Sequence, residues 1–436
     1  MDNLMICVDC VEIEALKKLV IAHGESATCE FCDQEKLCSA KTKVFDYVLA
    51  RVDENTAVDE DLSQFEYWST YEGGSDDIPA AFFDVVIAEW IGIDNDDVTN
   101  AIYEYAPEKY KRDEKGIDFC YFMDDGTLER NFVEDSWEKF ISGIRHSHRF
   151  FNPKAKEFLD QVFSQTVGED GKLKSECITV VKHGEHLYRA RTVPNYEAAK
   201  VLKDDPASQF GPPPKGVAGS QRMTPSGISA MYCGFERETC LSEIRAITGD
   251  YVVSAGLTPV APMSLLNLSS LDQVVGPKLT IMDEGYLQSV HLTAFLKSLV
   301  NKMSKPKGRN DELSYLSTQV VFEYLRLKFQ GQVDGLIFPS VQTGEKGKNA
   351  VIFPECSVVS KDLYVKSTNM FQPEVQPDPL PSINLDDPFV DQPRLMVIKG
   401  SLMYHKITAI ETQSKDYGHI SDLFMDDLDR RRLNLP

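Results

Sequence analysis

The chain has 436 residues, 42% hydrophobic and 26% charged, with a mean hydropathy of -0.28; this suits a globular protein of two or three domains. Its net charge is -22, and the acidic residues 1–150 make nucleic acid a poor ligand for that region. No basic-then-apolar leader opens the sequence, and the most apolar stretch, 80–93, is interrupted by Asp84 and Glu89 and is too short to span a bilayer, so a cytoplasmic protein with reduced cysteines and no membrane partner is expected.

The charge is uneven. Residues 1–150 hold 34 acids and 14 Lys/Arg, a net of -20, whereas residues 151–436 hold 34 and 32, a net of -2. A basic partner protein suits the first part; the alternative is that the acids only keep the chain in solution.

Cys7-Val8-Asp9-Cys10 and Cys29-Glu30-Phe31-Cys32 are two C-x2-C pairs separated by eighteen residues. Each pair can present two thiolates to one tetrahedral ion. Cys7, Cys10, Cys29 and Cys32 are therefore the candidate ligands of a structural zinc in a module spanning 1–41. A redox dithiol would need only one pair. Cys38 is a spare, expected to be buried, and apolar spacing over Val11–Ala22 predicts a helix.

Residues 42–170 read as an acidic, mostly helical domain with polar loops at 71–77 and 124–126. Val133, Trp137, Phe140, Ile141 and Ile144 recur at helix spacing, and His146 and His148 mark the polar end of that helix. After Gly171 the pattern turns to strands. One strand, 187–191, delivers Arg189. A Pro/Gly loop at 210–216 and the run Gln221–Gly227 with Arg222 follow, then an apolar segment to Tyr232 and a helix over 236–247 carrying Glu243. Further strands are predicted at 251–254 and 263–267, and helices at 285–303 and 313–330. A buried strand, 333–340, ends on Ser340, and a glycine-rich loop leads to a strand beginning at Asn349. The predicted domains are thus 1–41, 42–170 and 171–366, a proline-rich connection at 367–393, terminal strands within 394–420 and a tail at 421–436.

Two fixed cations and one carboxylate on rigid elements suit an anionic ligand whose chemistry needs one acid. Arg191 competes with Arg189 for this role. Glu236 and Glu238 compete with Glu243 but read as solvated. No G-x-G-x-x-G follows a strand, so no Rossmann-bound cofactor is expected.

Leu187-Tyr188-Arg189, Arg222-Met-x-Pro-Ser-Gly followed by Tyr232, Leu241-Ser242-Glu243, Asp334-Gly-x-x-x-Pro-Ser340 followed by Asn349, and Tyr315-x-x-x-Gln319 together resemble the RES domain. That family comprises NAD-degrading toxins of toxin–antitoxin pairs. The resemblance covers roughly 180–360. It departs at Thr224-Pro225-Ser226-Gly227, where the family has Asn-Pro-Gly-like residues. The region in front looks like the HEPN-type domain sometimes fused ahead of RES domains. The fold class expected is α+β: a mostly helical amino-terminal domain with a zinc knuckle, then a mixed α/β domain similar to ADP-ribosyltransferases.

The resemblance implies cleavage of the nicotinamide–ribose bond of NAD, bound as a consumed substrate, by water or inorganic phosphate. Arg189, Glu243 and Ser340 would be catalytic, with Arg222, Tyr232, Asn349 and Gln319 binding substrate. Glu243 would steady the ribose cation, Arg189 and Arg222 the pyrophosphate, and Tyr232 and Asn349 the nicotinamide end. Such an enzyme would act as a toxin or antiviral defence effector. It would need restraint by its amino-terminal domain, an antitoxin or an activator, and an oligomer is compatible with it. One rival is ADP-ribosyl transfer to a macromolecule. A HEPN ribonuclease is disfavoured because no histidine follows an arginine at that family's spacing. A non-catalytic binding module ranks last.

Overall fold

In the computed structural model, residues 4–409 are described, apart from 64–65, 68–79, 125, 127, 129–131, 275, 277, 305–314, 345 and 366–391. The predicted loop at 71–77, the connection at 367–393 (save its last two residues) and the tail lie outside that set.

The first elements are β1 (Met5–Cys7), α1 (Glu14–His23), β2 (Glu25–Thr28), β3 (Glu35–Ala40) and α2 (Lys41–Asn55). Next come β4 (Thr56–Val58), β5 (Ala80–Phe82), α3 (Asp96–Tyr105), β6 (Cys120–Met123), α4 (Phe132–His146), α5 (Pro153–Val162) and β7 (Ile178–Val181). The chain continues through β8 (Leu187–Val193), α6 (Tyr196–Asp204), α7 (Pro206–Phe210), β9 (Met231–Gly234), α8 (Arg237–Glu243), β10 (Tyr251–Pro259) and β11 (Met263–Asn267). Last are α9 (Tyr286–Ser304), α10 (Leu316–Lys328), β12 (Gly335–Pro339), β13 (Lys348–Ile352), β14 (Val359–Tyr364), β15 (Leu395–Ile398) and β16 (Met403–Lys406). The chain is mixed α/β. Among the described residues no helix is long and apolar enough to cross a membrane.

Two compact units form, and they do not follow sequence order. The first takes residues up to Val180, Gly216–Ile228 and Ser264–Leu336; the second takes Val181–Lys215, Ser229–Met263 and residues from Ile337 on.

The first unit holds two small antiparallel sheets, β1-β3-β2 and β4-β6-β5. The second of these adds short strands to residues 42–170, whose longer elements are helices as expected. Its strands are three or four residues long, too short for alternation to show in a sequence. One core runs from Ile6, Val11, Leu16 and Val20 through Phe45, Val48 and Val52 to Ile102, and it also takes in Ile281, Met282 and Tyr286. Two hydrogen bonds tie α2 to that later segment: Asn55 Nδ2 donates to Ile281 O at 2.7 Å and Tyr47 OH to Met282 O at 3.1 Å. An amide buried at 1% exposure must be satisfied, and this one is met by a carbonyl 226 residues away. The amino-terminal region is therefore part of a body that also contains residues 264–336.

The second unit is built on a sheet ordered β14-β15-β10-β8-β9-β13, reaching the end of β12, with β16 beside the first half of β10. Among these strands β14–β15 is parallel, and β15–β10, β10–β8, β8–β9 and β9–β13 are antiparallel. Strand β10 is longer than predicted because it is buried almost throughout, and fully buried strands lose polar alternation. Helix α8 packs Cys240, Leu241 and Ile244 against Tyr188, Ala190 and Val252.

Candidate active site

Glu243 is the last residue of α8. Ile244 caps the helix and Arg245 follows at φ 50°, the left-handed turn that ends it and leaves Glu243 at the rim. Ser340 comes directly after β12 and is wholly buried; Asn349 lies in β13 and is 5% exposed. Both side chains reach one atom. Ser340 Oγ and Asn349 Nδ2 each donate to Glu243 Oε1 at 2.6 Å. That oxygen is fixed by two donors, while Oε2 has no hydrogen-bond partner among the described residues.

The loop between β12 and β13 makes this convergence. Ser340 N donates to Gly347 O at 2.8 Å, and Gly347 N to Thr343 Oγ1 at 2.9 Å. Glu236 Oε2 accepts from Thr239 Oγ1 at 2.8 Å and from Lys348 N at 3.1 Å, tying the loop to α8. Glu236, expected to be merely solvated, is thus a brace. A Cβ on Gly347 would lie 2.0 Å from Thr239 Oγ1. Gly347→Ala is expected to destabilise the protein by about 1–3 kcal/mol, and Thr239→Ala in the same chain should return part of the loss. A thermal-denaturation double-mutant cycle measures this coupling, and strictly additive effects would refute the contact.

Arg189 lies in β8 opposite Ala255, and Arg191 opposite Val253. Alternation puts both on the face away from Tyr188 and Ala190. Arg189 Nη1 is buried and has no hydrogen-bond partner among the described residues, an arrangement that asks for an anionic acceptor. Burial holds the Arg189 pKa below its ordinary range; the nearby Cys233 thiol opposes this and Arg191 adds to it. Burial also pushes the Cys240 thiol up to about 12. Cys233 adds to that rise, Arg189 and Arg237 oppose it, and Glu243 contributes to it. The Cys240 sulfur thus lies within electrostatic reach of both Arg189 and Glu243, although no hydrogen bond or ion pair joins those two directly. Tyr232 is partly buried in β9 opposite Val351, two positions along the same face from the Gly234–Asn349 pair.

Arg222 and Gln319 belong to the first unit. Arg222 is buried, and its carbonyl accepts from Thr318 Oγ1. Gln319 Nε2 donates to Gln221 O at 2.8 Å, Ser220 Oγ at 3.1 Å and Thr224 O at 3.2 Å. Its amide nitrogen braces the loop that carries Arg222. The sequence did not single out Arg237. Its guanidinium stacks 4.7 Å over the Tyr188 ring and donates to Ser254 Oγ and, at 3.0 Å, to Ser401 O. No motif marks it, because its partners lie in distant strands.

The amino-terminal cysteines also converge. The sulfurs of Cys7, Cys10, Cys29 and Cys32 lie within 4.8 Å of one another, with Cys7–Cys32 at 3.7 Å and Cys29–Cys10 at 3.8 Å. A tetrahedron with metal–sulfur bonds of about 2.3 Å has edges of about 3.8 Å, so these four residues could hold one ion. Burial raises the Cys29 thiol, but backbone N–H groups of Phe31, Cys7 and Cys32 outweigh it and bring the pKa down to about 7. Cys38 is buried and donates to Ala27 O at 3.2 Å, outside the cluster.

A family model of the RES domain matches residues 186–371. The chain carries a RES domain. Every strand and helix that brings a residue to Glu243 falls inside that span. Such a domain points to an NAD-related function of the toxin type. No curated protein matches the chain.

Proposed function

We propose that this RES protein cleaves the nicotinamide–ribose bond of NAD, by hydrolysis or phosphorolysis, and that its second unit shares the ADP-ribosyltransferase-like fold of its family. The observation that carries this reading is the doubly held Glu243 carboxylate. In the reaction the C1′–N bond breaks and its electron pair goes to the ring nitrogen, so nicotinamide leaves neutral without a proton. Positive charge develops on the ribose. A carboxylate with one oxygen fixed and the other available is preorganised to stabilise that charge or hold a ribose hydroxyl. Water or phosphate then forms the new C1′–O bond and releases a proton. The pyrophosphate contact is given to Arg189, whose buried guanidinium has a nitrogen unpartnered among the described residues. Arg189 lies on the sheet face opposite Asn349 and α8, so NAD would have to pass the edge of the sheet to meet both.

Ser340 and Asn349 act through Glu243 in this scheme. Ser340→Ala and Asn349→Ala are each expected to lower kcat about 10–100-fold with KM little changed, because each frees the carboxylate without removing it. Steady-state nicotinamide release checks this. A change confined to KM would place either residue on NAD instead. Running the assay with labelled NAD, with and without phosphate, names the nucleophile, and label on a macromolecule would mark a transferase.

The four cysteines are the proposed site of a structural zinc ion. With four sulfur ligands the ion is coordinatively closed, so its contribution is to the fold and not to the reaction. The activity calls for restraint by a partner or trigger, in keeping with a toxin or defence effector.

A further inference from the structure

The turn between α4 and α5 carries a surface that the NAD reading does not use. Phe150 is 77% and Phe151 102% exposed, so neither ring is covered. Phe151 also sits at φ 52°, a conformation that bulky residues rarely adopt. The turn is well built. Asn152 accepts from Ala155 N at 3.1 Å to cap α5 and donates to His148 O at 2.9 Å, while Ser147 N donates to Gly143 O. It holds two large apolar side chains outward, against the usual preference of surfaces.

The chain around them is locally basic, although Lys156 is paired with Asp160 at 2.6 Å and the exposed Glu157 follows it. From Arg145 to Lys156 the chain contains Arg145, His146, His148, Arg149, Lys154 and Lys156 and no acid, within a protein of net charge -22. Of these, His146, His148, Arg149, Lys154 and Lys156 are exposed. We propose that this turn is a peripheral contact for an anionic bilayer, with Phe150 and Phe151 entering the interface and Arg149 and Lys154 meeting the headgroup phosphates. This is the pairing of apolar and basic groups that interfacial binding needs. Single-stranded nucleic acid is the weaker match, since it calls for a cationic groove that tracks several phosphates. Acids more than about 8 Å away are largely screened at physiological salt, and the nearby Asp160 is itself paired with Lys156 and Lys328. The proposal departs from the expectation of no membrane partner, since surface contact needs no spanning helix, and it is independent of the NAD reading.

The test is sedimentation of the full chain with phosphatidylcholine vesicles, with and without phosphatidylglycerol. Binding is expected only to the anionic vesicles and should weaken in high salt. Phe150→Ala/Phe151→Ala should lower partitioning by about tenfold or more, and Arg149→Glu/Lys154→Glu comparably. Because these side chains are exposed, an unchanged melting curve would confirm that the variants fold. Wild-type protein left in the supernatant with anionic vesicles, or undiminished binding by the phenylalanine variant, overturns the proposal. So does tight binding of a single-stranded RNA oligonucleotide that the same variant loses while vesicles are ignored.

Discussion

Glu243→Gln is expected to abolish nicotinamide release, lowering kcat by about a thousandfold or more while the protein remains folded. The substitution keeps the size and one carbonyl oxygen, so Ser340 Oγ and Asn349 Nδ2, both 2.6 Å from Oε1, can still be satisfied. What disappears is the negative charge opposite the developing ribose cation. A loss of about 4 kcal/mol of transition-state stabilisation corresponds to that factor. Glu243 lies at the end of its helix and is only partly buried, so stability should move little. Nicotinamide release by purified wild type and variant, with a thermal melt beside each, decides the matter. Full activity in Glu243→Gln would remove the carboxylate from the mechanism.

The largest effect on stability is expected at the cysteine cluster. Cys29→Ser should reduce bound zinc from one per chain to a small fraction and melt the protein at markedly lower temperature. Strands β1, β2 and β3 are only three, four and six residues long, and the share of their segment in the first unit's core is confined to a few side chains such as Ile6, Leu16 and Val20. Structural zinc contributes an apparent 10–16 kcal/mol in small domains, or about that order, so on the proposed assignment loss of one ligand loosens the three strands. Cys29 is fully buried, and its sulfur also accepts from Cys7 N at 3.3 Å. Cys38→Ser is the control, since Cys38 bonds to Ala27 O and not to the cluster. Metal analysis with calorimetry reads both. Stoichiometric zinc in Cys29→Ser, or zinc lost equally from Cys38→Ser, would sink the assignment.

The elements that carry the candidate residues were legible because short motifs mark them. The Leu-Tyr-Arg run places Arg189 in a strand, Leu-Ser-Glu places Glu243 at a helix end, and Asp-Gly with Pro-Ser340 marks a buried strand and its exit. The paired cysteines were readable for the same reason: turn spacing fixes which sulfurs can meet. The convergence of Ser340 and Asn349 on Glu243 Oε1 was not readable, since those partners lie 97 and 106 positions apart. Nor were the hydrogen bonds of Gln319 Nε2 to the Arg222 loop readable, because those partners lie about a hundred positions away. Glu236 looked idle for the same reason. The sharing of Ile281, Met282 and Tyr286 with the amino-terminal core was hidden as well. Those residues lie in and beside a short loop before α9, where no periodicity announces a buried face.

The distance along the chain between Glu243 and its two holders bears on synthesis. On the ribosome, Glu243 emerges about a hundred residues before Asn349, and the first body cannot close until Leu336 has been made. The nascent polypeptide therefore has no oriented carboxylate during most of its translation. A cell producing this protein thus meets the assembled site only after Asn349 and the first body have been made.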